Sequence, residues 1–470
     1  MPLPELIEIV PLTAPVRAEI TVPGSKSITN RALVLAALAD GETTLTGALW
    51  SEDTQVMVEC LQELGFMVNV AADPAERCNR TITVYGRGGI IPGGGTADNP
   101  LDLFVGNAGT AARFLAAMVC LGHGVYRLHG VPRMHQRPQA ALFRALRQLG
   151  YRVEATGDKL PAVISQNPES GIQNVRRACT VSIAESSQFA SALLLCAGQG
   201  GWDVKVVGEN AEESPYVVMT TKLIEAFPKR GGRFQIEPDA SSGSYFWAAG
   251  WLFPITKDLL SRKDAPTLTR DEFARVLSAY ETKQLLPTQV VLSVIVRDWP
   301  KSRSQIDQDF PGILYSLPDS FQKVSRKDHL ADSIMTRVVL APFANQPSNM
   351  TDLGRLRVQE CERVVALQTE LTKCGAKVIE EGDTLTVYPS QLHGAEIETY
   401  NDHRMAMCFG ILGLKVPGIR LQNPACVKKT FPNFFQKLAA APPHGLGAEI
   451  WEVKAGQRTR RLTGEDLFAG

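Results

Sequence analysis

The chain has 470 residues, 44% of them hydrophobic and 21% charged, a soluble globular balance in a length that exceeds one ordinary core, so two domains are expected. Lys plus Arg (49) equals Asp plus Glu (49), which excludes a global field holding the protein on nucleic acid or an anionic membrane; an anionic ligand needs a local cluster. Nine scattered cysteines, odd in number and without a C-x-x-C pair, argue against a disulfide framework or a zinc site and for a reducing compartment.

In chain order, residues 1–20 lack the basic region and apolar core of a signal peptide, and no apolar run approaches the roughly 20 residues of a membrane span. A cytoplasmic location follows as the expectation. ITVPGSKSITNRALVLAALA (residues 20–39) reads as a strand, a Pro-Gly turn and an amphipathic helix. It places Lys26, Ser27 and Arg31 around a helix start, where exposed N–H groups and the dipole suit a phosphate. It is not a Walker loop, because the earlier glycine is missing. LQELGFMVNV (residues 61–70) predicts a helix closed by Gly65 in a left-handed cap, then a half-buried strand; LRQLGYRVEA (146–155) and LTKCGAKVIE (371–380) repeat the phrase around Gly150 and Gly375. Weaker copies near 223–236 and 273–294 extend it, so two similar halves built of one repeated helix–strand unit are expected. Residues 86–100, rich in glycine, read as a loop without a nucleotide motif.

LFVGNAGTAARFLAAMVCLG (103–122) repeats the strand, small-residue turn and helix, with Asn107, Gly109 and Thr110 in the turn and Arg113 on the helix. In GVPRMHQRPQAALFRAL (130–146), Arg133 and Arg137 flank a turn, and one or both suit a carboxylate. Ser186, Ser187 and Gln188 open an apolar helix with more hydrogen-bonding groups than capping requires. Residues 253–328 resist assignment and read as a variable stretch or insertion. RVQECERVVAL (357–367) sets Glu360 and Arg363 three apart on one helical face, which alone is an ordinary surface pair. YNDHRMAM (400–407) sets Asp402, His403 and Arg404 before an apolar helix, and ACVKKTFPNFF (425–435) adds Lys428 and Lys429.

PGSKSITNRA, GNAGTAARFL, VPRMHQRP, SSQF, RVQECER, YNDHRMAM and KKTFPNFF occur in the order found in 5-enolpyruvylshikimate-3-phosphate synthases, which the chain resembles from about residue 20 to 437. The resemblance implies an α/β fold of two similar domains, each of three βαβαββ repeats, the inside-out α/β barrel of the enolpyruvyl transferases. It implies a first domain over residues 22–238 on the shikimate 3-phosphate side and a second over 1–21 and 239–470, with the active site in the cleft between them and closure assembling it. The implied reaction transfers the enolpyruvyl group of phosphoenolpyruvate to the 5-hydroxyl of shikimate 3-phosphate, with small-molecule substrates, no cofactor, no metal, no nucleic acid or membrane partner, and a monomer. Lys26, Ser27, Arg31, Ser186, Ser187, Gln188, Tyr216, Gln359 and Asp332 look like shikimate 3-phosphate contacts. Lys26, Asn107, Gly109, Thr110, Arg137, Arg363, Arg404 and Lys429 look like the phosphoenolpyruvate side, with Arg113 as nearby support. Asp332 takes the base or hydroxyl-orienting role, and Glu360 with Lys26 delivers the proton.

The sequence departs from the family pattern where it has Gln359 for the usual Lys, a charge for which Arg355, Arg357 or a water is the expected substitute. Glu213 stands at the family Ser, with Ser214 one place on, and Asp319 rivals Asp332 as the site aspartate. Phe114 replaces the Pro that usually follows the loop Arg, from which altered glyphosate sensitivity is expected. A UDP-N-acetylglucosamine enolpyruvyl transferase and a catalytically silent anion-binding homologue are the alternative readings.

Overall fold

The computed structural model describes residues 3–167, 177–208, 214–256, 290–315 and 322–470. Glu213, Asp319 and most of the weak repeat copy at 273–294 lie outside them. The chain forms two compact units: Pro23–Glu237, and Met1–Val22 together with Pro238–Gly470.

Within Pro23–Glu237, two four-stranded sheets share one design. In the first, Gly232–Gln235 runs parallel to Asp40–Leu49, which pairs antiparallel with Asn79–Arg87, and that strand pairs antiparallel with Val68–Ala72. In the second, Leu101–Phe104, Val125–His129, Ala162–Gln166 and Tyr151–Ala155 repeat the order and the senses. A third parallel pair joins Arg177–Ser182 to Trp202–Val207. The parallel partners need crossovers, and helices Gly109–Met118 and Ser187–Gly200 supply two of them. With helix Lys26–Leu38 they make the centre of the unit. A helix facing sheet on one side and water on the other keeps a polar face, but every residue of Gly109–Met118 is buried, which its alanine-rich sequence permits. Buried central helices with sheets around them make this an inside-out α/β unit.

The other unit follows the same plan. Gln322–Ser325, Ser348–Thr351, Thr384–Val387 and Val378–Glu381 reproduce the parallel-then-antiparallel order. Glu396–Ile397 runs parallel to Arg420–Gln422 in a five-stranded sheet completed by Leu6–Ile9, Ile450–Lys454 and Gln457–Leu462. Val294–Val296 runs parallel to Ala18–Ile20. Helices Ala240–Leu252, Ile334–Leu340 and His403–Gly413 are the buried centre. The α/β fold of two similar units is thus built from repeats of one motif.

The glycines predicted to close the repeats do so. Gly65, Gly150 and Gly375 have φ of +87°, +87° and +90°, a region that costs L side chains strain. Around Gly65 and Gly375 a second bond, Phe66 N–H to Leu61 O and Ala376 N–H to Leu371 O, both 3.0 Å, completes the helix end. In residues 253–328, read from the sequence as a variable stretch or insertion, described residues Val294, Phe310 and Leu314 belong to the core. Strands of two to four residues, such as Val294–Val296, are too short to show their alternation as a repeat in the sequence.

Candidate active site

A central helix whose backbone N–H groups start in a crowded core offers an anion a fixed ring of donors, and in both units the expected site residues gather at such starts. In Pro23–Glu237, Lys26 opens its helix, and its Nζ lies 3.1 Å from the buried carboxylate of Asp53, on the neighbouring helix Glu52–Glu63. Asn30 donates to the Thr110 hydroxyl at 2.7 Å, tying this helix to the Gly109–Met118 start. Arg31 is buried: its Nε donates to Thr220 Oγ1 (2.7 Å), Nη1 to the Ser27 carbonyl (2.9 Å) and Nη2 to Ser191 Oγ (3.0 Å). Its guanidinium lies 5.2 Å from the Phe114 ring centre.

Ser186 caps helix Ser187–Gly200 by accepting from Gln188 N–H at 3.2 Å, and the Gln188 side-chain oxygen accepts from Arg113 at 3.2 Å. Arg113 also donates to the Pro138 carbonyl, and Arg137 Nη1 donates to the Asn107 carbonyl at 3.1 Å. The two arginines therefore converge on Gly109, where a Cβ would lie 2.5 Å from Arg113 Nη1 and 2.7 Å from Arg137 Nη2. Arg133 donates to Gln136 on the short helix Pro132–Gln136. Tyr216 is half-buried on helix Ser214–Ala226, its carbonyl accepting from Thr220.

In the other unit a charged network forms around two helix starts. Asp402 caps His403–Gly413 through Arg404 N–H (2.8 Å) and accepts from Arg363 Nε (2.7 Å) and Nη2 (3.2 Å). Tyr400 and Asn401, at φ +54° and +52°, make the left-handed turn that delivers Asp402, a conformation Asn tolerates and Tyr strains to adopt. Arg363 also donates to Glu360 Oε2 (2.9 Å) and to the Gln359 side-chain oxygen. Glu360 Oε1 meets Lys429 Nζ at 3.1 Å. Asp332 meets Arg326 Nη2 at 3.2 Å, Arg404 Nη2 at 3.1 Å and Arg363 Nη1 at 3.8 Å. Burial by itself raises the Asp332 pKa, but these three guanidinium groups outweigh it and hold the carboxyl far below the usual carboxylate range. Asp402, then Glu360 and Asp332, raise Arg363, and Asp332 foremost raises Arg404, each against a burial penalty that lowers it. So held, Asp332 is ionised and a weak base. Anions that drew Arg404 and Arg363 away from it would make it more basic.

Arg357, one expected substitute for the missing Lys charge, is committed elsewhere: it pairs with Glu380 (2.7 Å), Glu362 (2.9 Å) and Asp383 (3.3 Å). The partners Asp53, Arg326 and Asp402 were not among the expected site residues. Asp402 alone carried a signal, as a helix-capping Asp beside Arg404; Asp53 and Arg326 are recognisable only through what they touch.

The sequence profile of EPSP synthase (3-phosphoshikimate 1-carboxyvinyltransferase) matches residues 11–438. A 3-phosphoshikimate 1-carboxyvinyltransferase of Trichormus variabilis is 36% identical over 456 residues, covering 92% of this chain and 98% of its own; one of Opitutus terrae is 36% identical over 468 residues, covering 93% and 98%. Among solved structures, an EPSP synthase of Acinetobacter baumannii superposes with a TM-score of 0.61 at 19% identity, covering 95% of this chain and all of that one. The enolpyruvyl transferase NikO of Streptomyces tendae does so at 0.60 and 15% identity, covering 99% and 100%, and these two likenesses bear on the fold. A profile match over nearly the whole length, with relatives above one-third identity end to end, places the chain in the EPSP synthase (3-phosphoshikimate 1-carboxyvinyltransferase) family.

Proposed function

We propose that this protein is a transferase of the shikimate pathway, moving the enolpyruvyl group of phosphoenolpyruvate onto the 5-hydroxyl of shikimate 3-phosphate and releasing phosphate. The observation that carries this reading is the network joining Asp332, Arg363, Arg404, Glu360 and Lys429, in which each acid is held against buried cations. The acceptor's C5 oxygen bonds to C2 of phosphoenolpyruvate while its methylene carbon gains a proton. The tetrahedral intermediate then loses phosphate from C2 and a proton from the new methyl group. Asp332 accepts the hydroxyl hydrogen bond, and arrival of the phosphoenolpyruvate anion at Arg363, Arg404 and Lys429 frees its basicity for the addition step. Glu360 and Lys26 supply the methylene proton.

Lys26, Ser27, Ser186, Ser187, Gln188 and Tyr216 hold shikimate 3-phosphate, with Arg31 fixing Ser27 through its carbonyl and Gln359 fixing Arg363. Asn107, Gly109, Thr110 and Arg137 take the phosphoenolpyruvate phosphate. Asp332 rather than Asp319 is the site aspartate in this reading, supported by its three arginine partners. With Arg357 engaged, Arg355 or a water makes up for the Lys charge. Glyphosate sensitivity is altered through Phe114, which stacks on Arg31. The protein acts in the cytoplasm as a monomer; its cysteines, unbridged and all but Cys361 buried, support a reducing compartment.

The test is phosphate release from phosphoenolpyruvate by purified protein with shikimate 3-phosphate, with UDP-N-acetylglucosamine, and with no acceptor. Release with the first alone is expected. Release with the sugar nucleotide would move the chain to the sister activity. Binding of both substrates without release would make it a silent homologue, the reading Gln359 favours, and restoration by Gln359→Lys would identify the cause.

A further inference from the structure

Asp332 lies in the stretch between strand Gln322–Ser325 and helix Ile334–Leu340, and what holds that stretch comes from the part of the sequence that resisted assignment. The short turn Ile306–Asp309 carries Asp307, 3% exposed. Its carboxylate accepts the Ala331 N–H at 2.6 Å, the Ser333 N–H at 3.3 Å and the Ser333 hydroxyl at 2.7 Å. It also accepts the Ser241 hydroxyl, from the start of helix Ala240–Leu252. The neighbouring Gln305 accepts from Ala240 N–H (3.0 Å) and donates to the Pro238 carbonyl (2.9 Å), so the turn is anchored on that same helix start. The residues Asp307 grips are those immediately before and after Asp332.

We infer that Asp307 is a positioning residue for Asp332, clamping the backbone on both sides of it so that its carboxylate faces Arg404, Arg363 and Arg326. Helix capping alone does not account for it. A cap needs one acceptor, which Asn or Ser provides without burying a charge. Asp307 gathers four neutral donors from two helix starts, and a carboxylate has about four lone-pair sites to receive them. Burial pushes its carboxyl above the ordinary value, the hydrogen bonds from Ser241 and Ser333 oppose that, and Asp332 and Arg404 are the charged groups that bear on it. An acceptor kept at this cost of desolvation needs a geometric return, and the residue between its two backbone donors is the site aspartate.

The inference rests on the transferase reading, and the experiment separates the two. In Asp307→Asn, one oxygen becomes an NH2 group facing backbone N–H donors, so at least one arm of the clamp is lost while the volume is kept. Turnover by wild type, Asp332→Asn, Asp307→Asn and Ser333→Ala is measured with both substrates varied, alongside each variant's melting temperature. Misplacing a reacting group by about 1 Å costs on the order of 100-fold, so Asp307→Asn is expected to lower kcat per folded molecule roughly 10- to 100-fold, with both KM values within about threefold of wild type. Ser333→Ala, which keeps the backbone bonds, is expected to lose less, in the same sense. A kcat unchanged in Asp307→Asn while Asp332→Asn is inactive overturns the inference and leaves the transferase reading standing. If Asp307→Asn does not fold, an unchanged kcat in Ser333→Ala overturns it instead. Wild-type protein that releases no phosphate overturns the transferase reading, and the inference with it.

Discussion

Gly109 sits where two guanidinium groups approach one backbone, and the smallest side chain there has nowhere to go: a Cβ would lie 2.5 Å from Arg113 Nη1 and 2.7 Å from Arg137 Nη2. Flexible arginines yield before a helix start does. Gly109→Ala is therefore expected to turn Arg137 off the Asn107 carbonyl and to raise the KM for phosphoenolpyruvate about tenfold, the range of one charge-assisted contact, with the KM for shikimate 3-phosphate unchanged. Steady-state kinetics with each substrate varied decide it; equal rises in both would assign the glycine to general packing. Arg337 makes the opposite case of a charge with no duty in the network. It is wholly buried, its Nη1 reaches Ser348 Oγ at 3.3 Å, and its Nε and Nη2 find no hydrogen-bond partner among the described residues. Desolvation of this guanidinium is poorly offset, so Arg337→Met is expected to raise the unfolding free energy by about 1–3 kcal/mol in urea titrations. A loss of stability would show that the guanidinium stem and its Ser348 bond outweigh the buried charge. The sequence exposed Lys26 and Arg404 because basic residues at apolar helix starts violate the local pattern, whereas Arg137, beside a turn, and Arg363, alone an ordinary surface pair with Glu360, stood out through the family resemblance. It hid Asp53, Arg326 and Asp307, whose meaning lies in partners reached by folding: Asp307 acts on Ser241 and Ser333, 66 and 26 residues away.

The repeated element explains both why the fold was legible and where legibility stopped. A helix that ends on a left-handed glycine and turns into an edge strand leaves a short, local signature, visible at Gly65, Gly150 and Gly375. The pairing between the two strands of each parallel pair leaves none. Gln322–Ser325 finds its partner Ser348–Thr351 only across a helix, and Gly232–Gln235 pairs with a strand near the other end of its unit. Such pairing is set by tertiary packing rather than by local pattern. The cap glycines also give a test at this scale. Gly150 closes helix Ala140–Gln148 at φ +87°, so Gly150→Ala is expected to cost about 1–2 kcal/mol of stability, the penalty of an L residue in the left-handed region. Gly157, at φ +61°, where a Cβ would meet nothing within 4 Å, offers the control: Gly157→Ala carries the backbone penalty alone. Denaturant midpoints of both variants, with equal slopes, give the comparison; a neutral Gly150→Ala would show that the helix end relaxes.

At the scale of the whole chain, the two units divide the proposed duties between them. Lys26, Ser27, Ser186, Ser187 and Gln188 belong to Pro23–Glu237, whereas Asp332, Glu360, Arg363, Arg404 and Lys429 belong to the other unit. The chain passes from one to the other at residues 22–23 and again at 237–238. A ligand that binds the folded form stabilises the groups it orders, so each substrate should leave its mark on the backbone that supplies its contacts. Hydrogen exchange is expected to slow in the starts of helices Lys26–Leu38 and Ser187–Gly200 when shikimate 3-phosphate is added alone. Addition of phosphoenolpyruvate to that complex should then slow exchange around residues 106–110, in the Gly354–Val358 turn and at the start of helix His403–Gly413. Protection by shikimate 3-phosphate confined to the Asp332 and Arg363 region would reverse the assignment of the two substrates. Protection of both units by shikimate 3-phosphate alone, with nothing added by phosphoenolpyruvate, would show that the acceptor orders groups in both and would overturn this division of duties.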